Sequence, residues 1–134
     1  MKSIFLLIGL AIFLLSCGGN SSKKERETNA QQSDITEVLY FHGKQRCITC
    51  NAIEKLTKEV IDSLANEKVV MKIIDISQKE NEATADKYEV TWSSLILDRG
   101  GKVENLADMG FSYAKGQPDV FKAKLVEAIS NITK

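Results

Sequence analysis

From residue 35 onward the chain switches repeatedly between two hydrophobic periodicities. Ile35, Val38, Leu39, Tyr40 and Phe41 crowd β-branched and aromatic side chains into one short run, the mark of a buried strand. From Cys50 on, Ile53, Leu56, Val60, Ile61 and Leu64 recur at helical intervals, with Glu54, Lys55, Lys58 and Glu59 on the opposite side. Residues 69–76 then form a second, nearly continuous apolar strand, as expected of a parallel strand covered on both faces. Strand, helix and strand make a βαβ unit, whose crossover is expected to be right-handed. Residues 79–88 are polar and rich in Glu, Ala and Lys, which predicts a short exposed helix. Residues 94–98 and 102–107 are joined by Asp98-Arg99-Gly100-Gly101, a hairpin sequence. Pro118 opens a last helix where proline is tolerated, and Phe121, Leu125, Ala128, Ile129 and Ile132 form its inner stripe. The predicted order is β-α-β-α-β-β-α.

The N-terminus follows a different rule. Ile4 to Leu15 is apolar apart from Gly9 and follows Lys2. Such a run is too short for a bilayer, which needs about 20 apolar residues, but it suits a signal-peptide core of about 7–15. Residues 1–16 therefore read as an export signal. Leu14-Leu15-Ser16-Cys17 resembles a bacterial lipoprotein signal, which implies cleavage before Cys17 and lipidation of that cysteine. The alternative is an ordinary secretory signal that happens to contain a cysteine. Residues 17–34 read as the lipidated cysteine and a flexible tether, with a reach of about 20–25 Å. Gly18 stands where an inner-membrane retention signal would place an aspartate, so an outer-membrane anchor facing the periplasm is the preferred destination. Residues 35–134 form the folded domain.

Composition narrows the chemistry. With 18 basic and 18 acidic side chains, the chain has no net charge with which to compete for polyphosphate, and nucleic acid is not an expected partner. Three cysteines and one histidine are a bare supply for a structural zinc site, which takes four ligands of these types, and an uneven one for a disulfide-stapled mini-protein. If Cys17 carries lipid, the mature domain keeps only Cys47 and Cys50. In an exported chain this Cys-x-x-Cys pair is either a redox couple or two soft-metal ligands. So short a loop gains little stability from a bridge.

A Cys-x-x-Cys pair between the first strand and first helix of this element order resembles the thioredoxin-like family. The likeness covers residues 35–134 in a minimal form, an α/β fold with a four-stranded mixed sheet and flanking helices. It implies thiol-disulfide exchange, with Cys47 the exposed nucleophile and Cys50 the more buried resolving thiol. A helix N-terminus behind Cys47 would favour its thiolate. Ile48 and Thr49 stand in place of the Gly-Pro pair familiar from thioredoxin, so the redox potential does not transfer.

Several neighbours are candidates for supporting roles. Lys44 and Arg46 would favour the Cys47 thiolate if close in space, or else merely keep the loop soluble. His42 could shuttle protons, act as a third soft-metal ligand, or do neither. The family's cis-proline before the third strand has no counterpart here. Ser93 or a neighbour occupies its place, and a trans bond is expected. Trp92 is either an aromatic wall of the site or a core residue. The buried acid that thioredoxin sets beneath its resolving thiol is replaced by Tyr40 or Phe41.

The leading functional expectation is a membrane-tethered, extracytoplasmic dithiol-disulfide oxidoreductase, leaning toward reduction. Its partners would be protein thiols or disulfides, with a membrane electron donor to recharge it. No cofactor beyond the redox-active cysteine pair is expected. The alternatives are a soft-metal-binding module built on Cys47 and Cys50, and a redox-inert adaptor that docks a partner around Trp92.

Overall fold

The structure, a computed structural model, describes residues 34–134; the expected signal segment, Cys17 and all of the expected tether but Asp34 lie outside them. Strand β1 (Thr36–His42) is central, and nearly every residue is buried. Helix α1 (Ile48–Leu64) connects it to β2 (Val69–Asp75), which runs parallel to β1. A 3₁₀ turn (Lys79–Asn81) leads into the short α2 (Glu82–Lys87). Strands β3 (Ser94–Arg99) and β4 (Lys102–Asn105) follow, then α3 (Ala107–Tyr113) and α4 (Pro118–Ile132). The sheet order is β2-β1-β3-β4, with β1–β3 and β3–β4 antiparallel, so the sheet is mixed and four-stranded as expected.

The pleat of β1 divides the core between two faces. Val38 and Tyr40 point toward α1, α3 and α4, joining Ile53, Val60, Leu95, Leu97, Phe121 and Leu125. Leu39 and Phe41 point to the other face with Ile74, Val90 and Ile96, a smaller cluster flanked by Tyr88. All five residues expected on the inner stripe of α4 are buried. The hairpin turns on Gly100 and Gly101, both at positive φ (58° and 92°), as a two-residue turn between right-twisted strands requires.

Three expectations need correction. Strand β2 is not covered on both faces: it is an edge strand, Lys72 is exposed and Ile73 is 42% exposed. Its apolar run overstated its burial because it has only β1 as a neighbour. The last strand stops at Asn105 rather than 107, because the Asn105 Oδ1 accepts from the Ala107 amide and turns the chain. The chain then enters α3, an element absent from the predicted order. Gly110 at its centre obscures a helical pattern, yet its missing side chain admits the helix: a Cβ there would sit 3.1 Å from Ile53 Cδ1.

On the smaller face Asp98 is buried and satisfied. It accepts from the Tyr88 hydroxyl (2.6 Å), the Gly101 amide (2.9 Å) and Lys87 Nζ (3.5 Å). Burial alone would push its carboxyl up, but these donors outweigh it and hold Asp98 below the usual carboxylate range. A group with a depressed folded pKa adds stability above its unfolded pKa and loses it as pH falls through the folded value. Tyr88→Phe is therefore expected to cost about 1–2 kcal/mol of unfolding free energy at pH 7. In urea titrations that deficit should shrink as the pH drops into the acid range, and a deficit constant down to strong acid would contradict this account.

Candidate functional site

The cysteine pair lies where β1 ends and α1 begins. Cys47 is the N-cap of α1, in extended conformation (φ −79°, ψ 166°), and its Sγ accepts from the Cys50 amide at 3.1 Å. A sulfur thus occupies the place usually taken by a capping oxygen, at the positive end of the helix dipole. The first turn of α1 carries no acidic residue to oppose a negative sulfur. Cys47 is exposed, whereas Cys50, one turn on, is 5% exposed and faces the sheet. The two are paired as a disulfide, with Cα atoms 5.0 Å apart.

Tyr40, not Phe41, is the strand residue beneath the pair. Its side chain is fully buried and its hydroxyl donates to the Cys50 carbonyl at 2.8 Å. Phe41 faces the opposite side of the sheet. Burial pushes the Tyr40 hydroxyl above its ordinary pKa, with the nearby Arg46, Glu54 and Ser93 as smaller influences. The group is thus a neutral donor at physiological pH rather than a proton acceptor. Ser93 belongs to this cluster through Tyr40, and its place before β3 is reached through trans peptide bonds, since the described residues contain no cis bond.

The other candidates are distributed unevenly. His42 ends β1 opposite Asp75 of β2, with Nδ1 3.1 Å from the Gly43 carbonyl. Among the described residues no group of three His, Cys, Asp or Glu side chains is arranged to hold a metal, so His42 does not complete a ligand set with the two cysteines. Arg46 pairs with Glu54 of α1, whose other oxygen takes Lys58 Nζ at 2.5 Å. Trp92 is not a core residue: it is 55% exposed and stacks on Phe111 of α3, with ring centroids 5.1 Å apart. Ile48, next to Cys47, is 73% exposed.

Glu54 and Phe111 are neighbours of the candidate residues beyond those that the sequence pattern singles out. Glu54 is legible in principle, being one helical turn past Cys50. Phe111 is not, because it lies on α3, which the periodicity does not predict.

This fold is shared with solved structures. Trxlp from Edwardsiella tarda matches with a TM-score of 0.53 and 19% identity, over 73% of this chain and 88% of that one. Human ERp44 matches with a TM-score of 0.51 and 16% identity, over 81% of this chain but 27% of that one, so the aligned part spans about a quarter of its length. Both likenesses place the fold as thioredoxin-like. No protein-family model and no curated protein sequence matches the chain.

The unequal burial of the two sulfurs has a direct readout. After reduction, iodoacetamide is expected to modify Cys47 on the order of tenfold faster than Cys50, as followed by peptide mass spectrometry. Equal rates, or faster labelling of Cys50, would contradict the described geometry.

Proposed function

We propose that this chain is an extracytoplasmic thiol-disulfide oxidoreductase, held at a membrane by lipid on Cys17 and acting on protein disulfides. The observation that carries the reading is the exposed Cys47 sulfur at the start of α1, backed by the buried Cys50 one turn away. In the reducing direction the Cys47 thiolate attacks one sulfur of a substrate disulfide. A mixed disulfide forms and the other substrate sulfur leaves as a thiolate. Cys50 then gives up its proton and attacks the Cys47 sulfur, closing the Cys47–Cys50 bond and releasing the second substrate thiolate. Two electrons pass to the substrate, and a dithiol donor at the membrane must return them. The cysteine pair carries the electrons, and the scheme uses no bound cofactor.

The remaining features take supporting roles in this reading. Tyr40 fixes the first turn of α1 on β1, while Trp92 and Ile48 offer apolar surface to an incoming polypeptide. Residues 1–16 direct export and residues 17–34 tether the domain, with the outer membrane as the preferred anchor.

Cys50→Ser should accumulate mixed disulfides through Cys47 in an envelope extract, visible as reductant-sensitive bands on gels, while Cys47→Ser should accumulate none. Identical band patterns for the two variants would defeat the assignment of roles. Cys17→Ser should move the protein from the membrane to the soluble fraction, and continued membrane association would defeat the lipid anchor.

A further inference from the structure

Arg46 immediately precedes Cys47, and a guanidinium beside a nucleophilic sulfur would favour its thiolate. In the structure that cation is paired with a carboxylate. Arg46 Nη1 donates to Glu54 Oε2, eight residues along the chain, and Lys58 Nζ holds Glu54 Oε1. The Glu54 side chain is only 13% exposed, against 41% for Glu59 in the ordinary surface pair with Lys55. Burial raises the pKa of Glu54, but Lys58 and Arg46 outweigh it and hold the carboxyl below its usual range, so it is an anion throughout the neutral region. Arg46, Glu54 and Lys58 line a groove of about 330 Å³ on the outer side of α1, and neither cysteine lines it. The described state is the disulfide, in which the Cys47 sulfur bears no charge to attract Arg46.

We infer that Glu54 is a positioning residue that competes with the Cys47 sulfur for Arg46, and so sets how reducing the cysteine pair is. The inference rests on Cys47 and Cys50 being a redox couple. On reduction, the Cys47 thiolate becomes a second anion within reach of the loop that carries Arg46. Every increment by which a cation stabilises that thiolate stabilises the reduced form and makes the pair a weaker reductant. By retaining Arg46, Glu54 withholds that stabilisation.

Most of the other polar and charged groups near the pair in the chain or packed against α1 have partners of their own. Lys58 is bound to Glu54, and His42 stands opposite Asp75. Tyr40 is a neutral donor, and Lys44 is the remaining cation of the loop. The segment 91–93 is uncharged. In α3 the charged residue is Asp108, which is exposed, and Tyr113 lies under Lys124 of α4. Lys122 of α4 pairs with Glu59.

The test is a double-mutant cycle on the full chain, equilibrated at pH 7 with reduced and oxidised glutathione. In that exchange the Cys47–Cys50 disulfide and two glutathione thiols give the dithiol and one glutathione disulfide. Glu54→Gln is expected to shift the equilibrium toward the dithiol by about three- to tenfold, tenfold being about 30 mV for a two-electron couple. It should also speed alkylation of Cys47 at pH 7. In an Arg46→Gln background the same substitution should shift the equilibrium by less than about 1.5-fold, the loss of effect expected of two coupled sites. An undiminished shift in that background would mean that Glu54 acts through its own charge and would overturn the competition for Arg46. So would no shift in the single variant, or a shift toward the disulfide. If the unaltered chain failed to equilibrate with glutathione at all, the redox-couple reading itself would fall, a result distinct from failure of this inference.

Discussion

The hydrogen bond from the Tyr40 hydroxyl to the Cys50 carbonyl joins a deeply buried strand to the first turn of the helix that carries the cysteine pair. Strand β1 is buried on both faces, so its position in the sheet is fixed by packing on either side. Tyr40 transmits that rigidity to α1, and α1 in turn sets one sulfur at its mouth and the other against the sheet. Disulfide exchange depends on how two sulfurs are held relative to each other and to solvent. Here both constraints trace back to one strand and one phenol.

The substitution of a neutral phenol for a buried acid changes the electrostatics beneath the pair. A carboxylate there would repel a second negative charge and accept a proton, whereas the protonated Tyr40 hydroxyl does neither. The nearest described carboxylate on the helix, Glu54, is engaged by two cations at its own surface. The strand residue beneath the pair therefore adds no charge of its own to the positive end of the helix dipole.

Much of the fold could be read from the chain because its periodicities are unambiguous where burial is one-sided or complete. The inner stripe of α4, the buried run of β1 and the Gly100-Gly101 turn follow directly from side-chain spacing and backbone freedom. Strand β2 was harder, because an apolar run records what a strand can bury and not how many neighbours it has. Helix α3 escaped because Gly110 weakens helical propensity where Ile53 demands close approach. In the site, Cys47 and Cys50 were evident from spacing. The partner taken by Arg46 was not, since it lies eight residues away, nor was the stacking of Trp92 on Phe111, which α3 carries.

Because the Cys47 sulfur is the cap of α1, the atom proposed as the nucleophile also has an architectural duty. Serine at this position retains a capping oxygen, whereas alanine leaves the Cys50 amide without its acceptor and costs about 1 kcal/mol of helix stability. The two replacements thus dissect the protein differently. One removes the thiol from an intact scaffold, and the other also loosens the turn on which the buried partner rides.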